Sequence, residues 1–351
     1  METKNQKHTV IIPSYNTLEH LKNTYKSLKQ YAPTVEIIII DDASEDNTKE
    51  WLNSLSDKQL TVIISDTRKG HTYWYDEGMR RSKTDIISIL HSDMIIGPGY
   101  FENMIKYLEK GKVVCATRIE PPIHPAGKEK IVKDFGDEAD IFKWDEFEKF
   151  VVQESINQNG KTTKGIFAPW VLYKEDHLAI GGHDQGYAPY GYEDSDIFNR
   201  WILAGYEMIQ SRDSLCYHMT CRGHRWNAGV GIENADYQET MDSGRKHYLK
   251  KWGCWIQNDE YQHPILSPVY KKKLIIHNTN SNLEQLQDWF NDGDDIIVEI
   301  DGKIFNQQDV QYITQLNDII ADSGEIGTFN LGNLKITINS LNTYEQDLIS
   351  L

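Results

Sequence analysis

The run "VEIIIIDDAS", residues 35–44, constrains the fold more than any other stretch of the chain. A helix with one buried face spaces its apolar residues by three and four, and a half-exposed strand alternates them. Four consecutive isoleucines do neither. They fit a strand covered on both faces, as in a parallel sheet held between helices. The run stops at Asp41 and Asp42, which places two carboxylates where open α/β sheets bind their ligands, outside the carboxyl ends of the strands.

Neighbouring segments extend the pattern. "HTVIIPSY", "LTVIISDT" and "DIISILHSD" read as strands, while "LEHLKNTYKSLKQY", "NTKEWLNSL" and "TYWYDEGMRRS" carry apolar residues at helical spacing. Strand–helix alternation with connections this short implies right-handed βαβ units and a doubly wound α/β sheet. Asp66 and Asp93 join Asp41 and Asp42 at strand ends. In "SILHSDMII" a buried strand runs into His91, Ser92 and Asp93, and an unpaired Asp beside Ile and Leu is costly. Asp93 is therefore expected to face the ligand crevice. Ser44, Asp46 and Asn47 in "DDASEDNT" are ordinary loop and cap residues. "PSYN" stands where a Gly-rich phosphate loop would follow the first strand, which argues against a classical dinucleotide fold or a P-loop enzyme.

Charge narrows the function classes. With 53 acidic against 37 basic residues, the net charge of −16 argues against a general nucleic-acid or anionic-membrane surface. No stretch approaches the ~18 apolar residues of a membrane helix, and Met1 to His8 has no apolar signal core. Cys115, Cys216, Cys221 and Cys254 form no CxxC pair, which suggests neither a disulfide framework nor a zinc site. A cytoplasmic location is the expectation.

Four ordered blocks then carry a resemblance. "TVIIPSYN", "EIIIIDDASEDNT", "SILHSDMII" and "GGHDQGYAPYGYEDSDIFNRWILAGYEM", within residues 8–225, resemble a family 2 glycosyltransferase of the GT-A fold. The resemblance implies a mixed, mainly parallel sheet flanked by helices. It also implies a nucleotide-diphosphate sugar donor (UDP-, GDP- or dTDP-linked), Mn²⁺ or Mg²⁺, and inversion at the anomeric carbon. The acceptor would be a glycan, a lipid-linked sugar or a protein.

Carried onto this sequence, Pro13 and Tyr15 would line the nucleobase pocket, and Asp41 and Asp42 would meet base or ribose. Arg68, Lys69, Ser92, His224 and Arg225 would approach the nucleotide or its phosphates, as a cation beside a diphosphate makes physical sense. Asp76-Glu77 replaces the family's Asn before Gly78. The family's DxD is "HSD" here: Asp93 keeps the metal position, with His218 completing the site, while His91 is a ribose partner or a tolerated substitution. Asp194 would be the general base and Glu193 would bind or orient the acceptor. The helix dipole also favours acids in a first helical turn, so "EDSD" has a plain structural explanation too. Trp170 would offer a face to the acceptor sugar, although packing is an equally common fate of tryptophan.

Residues 120–163 hold an acidic, aromatic insert whose "DFGDEADIFKWDEFEKF" fits an amphipathic helix packed on the core. Beyond Trp255 the resemblance ends, and "HPILSPVY" reads as a boundary. The expected division is a catalytic domain over 1–262 and a small acidic α/β appendage over 263–351, with strands in "KKLIIHNT", "DDIIVEIDG" and "NLKITIN". Residues 271–351 hold 5 Lys against 13 acids, and oligomerisation through them is one expectation. Two other function classes compete: a nucleotidyltransferase on a similar sheet, and a non-catalytic sugar-nucleotide binder. The first has no use for the "GGHDQGY…ED" block. The second has only "HSD" in its favour.

Overall fold

The computed structural model describes residues 7–226, 230–252 and 255–265, together with the backbone of five strands between 272 and 340. The first half alternates strictly: β1 (His8–Ser14), α1 (Leu18–Tyr31), β2 (Glu36–Asp41), α2 (Thr48–Ser54), β3 (Leu60–Ile64), α3 (His71–Arg81) and β4 (Ile86–Ile89). β1 pairs in parallel with β2 and β4, and β2 with β3. The isoleucine run does what its composition requires. Val10, Ile12, Ile37 and Ile39 enter one core, while Ile11, Ile38 and Ile40 enter the other on the opposite face.

β5 (Met94–Ile96), α4 (Tyr100–Ile105), β6 (Lys112–Glu120), β7 (Lys130–Val132), α5 (Trp144–Asn157), β8 (Thr162–Thr163), β9 (Trp170–Tyr173), α6 (Lys174–Ala179), α7 (Glu193–Leu203), β10 (Glu207–His218) and α8 (Tyr237–Trp252) follow. The ten strands run in the order β3-β2-β1-β4-β9-β6-β10-β5, with β7 against β6 and β8 against β10. β9 is antiparallel to both neighbours, and β6 and β10 are parallel to each other. The sheet is mixed and mainly parallel, as expected.

"SILHSDMII" is not one strand. β4 stops at Ile89, His91 to Asp93 form a turn, and β5 resumes at the far edge, antiparallel to β10 with Met94 opposite His218. Three polar residues cannot continue a strand that is apolar on both faces, so the chain leaves the sheet and re-enters beside a different strand. That detour brings Asp93 next to His218. The insert forms α5, whose Phe147 and Val151 pack on Phe135, Phe142 and Tyr217, a buried stripe as its pattern indicated.

The tail contributes a separate five-stranded sheet of β11 (Lys272–Ile276), β12 (Ile296–Ile300), β13 (Lys303–Ile304), β14 (Thr328–Leu331) and β15 (Leu334–Ser340). Its order is β13-β12-β11-β15-β14, with β11 and β12 parallel. The three expected strands are present. The helical half of the expected α/β appendage, which the sequence places in "NLEQLQDWFNDG" and "DVQYITQLNDIIADSG", lies outside the described residues. Among the described residues no helix is long and apolar enough to cross a membrane.

Candidate functional site

A crevice opens where β1, β2 and β4 end. Pro13, Ser14, Tyr15, Asp42 and Arg68 meet Ser92 and Asp93 there, and Tyr190, Arg222 and His224 close it from the second half of the chain. Asp42 organises the first wall. Its Oδ1 accepts the Lys69 N–H at 2.8 Å and the Trp74 Nε1–H at 2.5 Å, and its Oδ2 accepts the Gly70 N–H at 2.7 Å. Gly70 has φ +88°, and a Cβ there would lie 2.1 Å from the Pro189 carbonyl oxygen, so only glycine fits. The loop so fixed lays the Arg68 guanidinium 4.0 Å above the Tyr15 ring, with Asp236 2.8 Å from Arg68 on its other side.

The second wall gathers His91, Asp93 and His218, whose ligand atoms all lie within 4.8 Å of one another. His218 Nδ1 faces Glu120 Oε1 at 3.2 Å, while its Nε2 is buried, has no hydrogen-bond partner, and lies 3.5 Å from Asp93 Oδ1. A buried ring nitrogen left without a partner is costly. One held by a carboxylate on its far side and aimed at another carboxylate is the arrangement of a metal-binding histidine with its outer partner. Burial pulls the His218 imidazole down, but Asp93 and Glu120 outweigh it and hold it at about 9. The pocket thus favours positive charge between Asp93 and His218. These residues fit a divalent ion; two imidazoles and a carboxylate suit Mn²⁺ better than the oxygen-demanding Mg²⁺. Arg118 and Lys130 hold Glu120 at 2.9 and 2.8 Å, fixing the outer carboxylate.

The third group sits at the start of α7. Tyr192 adopts φ 70°, a left-handed conformation uncommon for a side chain of its size, and it turns the chain sharply into the helix. Glu193 is gripped at both ends: Oε1 accepts from His71 Nε2 at 2.6 Å and Oε2 from the Gly191 N–H at 2.6 Å. Asp194 Oδ1 accepts only from its neighbour Ser195, and its Oδ2 takes no hydrogen bond among the described residues. Burial, then the Glu193 charge, push the Asp194 carboxyl up to about 6. Burial pushes Glu193 up as well, but the charge and hydrogen bond of His71 outweigh it and hold Glu193 below the usual carboxylate range. Asp196, the last acid of "EDSD", is fully buried and saturated by Arg200, Lys251 and the Trp252 indole N–H. It is part of the frame, as is Asp184, which Lys251 and His247 hold at 2.6 and 3.1 Å.

Several expected contacts fall elsewhere. Trp170 is 1% exposed, packed against His177, His183 and Trp201, because β9 runs inside the sheet and points it into the core. Arg225 turns to the surface and pairs with Glu233 at 2.6 Å. The Lys69 ammonium lies over the Tyr73 and Trp74 rings, and only its backbone N–H reaches Asp42. Asp41 is buried and accepts the Ser44 N–H at 3.1 Å, shaping the loop without lining the crevice. Pro13, Tyr15, Asp42, Arg68, Ser92, Asp93 and His224 do line it. Asp76 turns away from the crevice: Oδ1 accepts from His177 and His183 at 2.8 and 2.7 Å, and Oδ2 from the His183 N–H. At hydrogen-bond lengths with every oxygen in use, this buried trio braces α3 against the "GGHD" segment.

His71, Tyr75 and Arg222 line the crevice without having been singled out in the sequence. His71 and Tyr75 are four apart at the start of α3, on one helix face directly after the Arg68–Gly70 loop, a spacing that could have marked them. Arg222 carried no such signal. Thr220 and Cys221 both adopt left-handed φ, 67° and 59°, and this double turn sends Arg222 inward and Arg225 outward.

Comparison with known proteins matches this architecture. The profile described as glycosyl transferase family 2 covers residues 9–159, and one described as the N-terminal domain of galactosyltransferase covers 159–222. An uncharacterized glycosyltransferase of Bacillus subtilis, YfnE, is 28% identical over 252 residues, spanning 60% of this chain and 64% of that protein. One of Haemophilus influenzae is 25% identical over 251 residues, spanning 69% and 77%. The crystal structure of GalNAc-T7 with UDP, GalNAc and Mn²⁺ superposes with a TM-score of 0.50 at 15% identity, over 73% of this chain and 49% of that one. Profile, relatives and fold agree with the strand-end acids and the α7 carboxylates: residues 9–159 match family 2 of the glycosyltransferases, and the chain has the GT-A fold.

Proposed function

We propose that the chain transfers a sugar from a nucleotide-diphosphate sugar to an acceptor hydroxyl, with inversion at the anomeric carbon. The observation that carries this reading is the unequal state of two adjacent carboxylates. Glu193 is bonded at both oxygens, while half-buried Asp194 keeps one free, and burial with the Glu193 charge pushes its carboxyl up to about 6. A base that deprotonates near neutral pH and can still accept a proton is what hydroxyl attack requires.

In this reading Tyr15, Pro13 and Asp42 hold the nucleoside, and Arg68, Arg222 and His224 face its phosphates. Asp93 and His218, with His91 beside them, would hold Mn²⁺ or Mg²⁺, which supplies positive charge to the departing diphosphate. Asp194 takes the acceptor's proton as the new C–O bond forms and the bond from anomeric carbon to phosphate oxygen breaks. The nucleoside diphosphate leaves with the bonding electrons. Glu193, bonded at both ends, orients this corner of the site. The acceptor is a glycan, a lipid-linked sugar or a protein.

The test is a panel of UDP-, GDP- and dTDP-sugars incubated with the protein and Mn²⁺ or Mg²⁺, following release of nucleoside diphosphate. Release from one donor is expected, lost in Asp93→Ala and in excess EDTA. Undiminished turnover in chelator refutes the metal-assisted reading.

A further inference from the structure

The base Asp194 and the acid beside it come from one helix, but the group that separates their behaviour comes from another, 122 residues earlier in the chain. His71 opens α3, lines the crevice, and bonds Glu193 at 2.6 Å. Its ring has those of Tyr75 and Tyr190 as neighbours, at centroid distances of 5.5 and 6.2 Å, which limits its freedom to swing away. The Gly191 N–H holds the other Glu193 oxygen. Two adjacent carboxylates in one partly buried corner repel, and one of them ordinarily gives way by taking a proton. A cationic donor on Glu193 alone decides which.

We propose that His71 is the positioning residue of the general base: by fixing Glu193 as the bonded anion, it leaves Asp194 as the carboxylate free to take a proton. This rests on the reading of Asp194 as base. Among the described residues, the groups that act on Asp194 come from two helices. On its own helix there are Glu193 and Ser195, and from α3 there is His71. From α8, Arg245 and Asp242 act on Tyr192, the residue that turns the chain into α7. His71 also contributes directly, since its charge lowers the Asp194 titration. Removing it leaves the Glu193 charge without a counter-ion, so both effects push the Asp194 midpoint up. Removing the Glu193 charge pulls that midpoint down. Two variants of one hydrogen bond thus move one titration in opposite directions, which a merely structural contact does not do.

The experiment is a carboxyl NMR titration of the full chain carrying carbon-13 at aspartate Cγ, with the Asp194 signal assigned by its loss in Asp194→Asn. The wild-type midpoint is expected near 6. Glu193→Gln should lower it, and His71→Ala should raise it, by about one pH unit each. His71→Gln, which keeps a donor but not the charge, should also raise it and decides the matter if the Ala variant does not fold. A midpoint that neither His71 variant raises overturns the proposal. Turnover of the donor found in the panel separates the two layers. If Asp194→Asn still transfers sugar, the base assignment falls while the titration shifts stand; if transfer is lost but His71 variants leave the midpoint unmoved, only the role of His71 falls.

Discussion

The molecule carries two acid pairs, "DD" at the end of β2, whose Asp42 lines the crevice, and "ED" at the start of α7, and it treats them differently. In each pair one member is committed to the local backbone: Asp41 to the Ser44 N–H, Glu193 to the Gly191 N–H. The remaining members diverge. Asp42 accepts three hydrogen bonds from residues 69–74, whereas Asp194 accepts from its neighbour Ser195 alone. A carboxylate saturated with donors is a fixture that holds a loop in place. One that is crowded and under-bonded is left able to take a proton. The number of N–H groups aimed at each separates a loop fixture from the carboxylate proposed as base.

Substitution by the amide should expose that division. Asp194→Asn should lower transfer by about two to four orders of magnitude, the usual worth of a general base, with donor affinity by calorimetry nearly unchanged. An enzyme that transfers at the wild-type rate would erase the distinction between the pairs. Asp42→Asn turns an NH₂ toward donors that had an oxygen, so it should cost about 2–3 kcal/mol of stability in denaturant unfolding and weaken donor binding as the loop loosens. Stability should move the other way at Asp194. Its carboxyl titrates higher in the fold than in the unfolded chain, so the native state holds the extra proton between about pH 4 and pH 6 and loses stability as pH rises through that window. Above it, Asp194→Asn should raise stability by about 1–2 kcal/mol, allowing for solvent reaching the half-buried group. The same titration sets the acid limb of the rate: kcat of the wild type should climb to a plateau as pH passes about 6, and a flat profile from pH 5 to 8 would count against it. The smallest effect is expected from ending the chain at Gln262, which should leave donor hydrolysis intact; an insoluble product would move the domain boundary.

The sheet was legible because its strands are buried on both faces, so their composition alone betrays them, and the acids that end β2 and β4 marked the crevice. Asp93 and His218 were legible as single residues. Their adjacency was not, since it depends on the chain leaving the sheet after Ile89 and returning beside β10. His71 and Glu193 are linked across 122 residues by a hydrogen bond that no local pattern encodes. Trp170 misled because a tryptophan at a strand start has the same sequence signature whether it faces a sugar or a core. Arg222 and Arg225 were exchanged because two left-handed residues, neither a glycine, rotate the loop between them and His218.

The frame around Asp196 has a consequence for where this enzyme unit stops. The two matching family profiles end at residue 222, yet Asp184 and Asp196, both fully buried, pair with Lys251 near the end of α8. A recombinant fragment cut at residue 222 would leave Asp184 without Lys251 and His247, and Asp196 with Arg200 as its one cation. The family profiles stop about thirty residues short of Lys251, on which the start of α7 and the segment before it lean, so any transplant of this corner to another scaffold must bring α8 along.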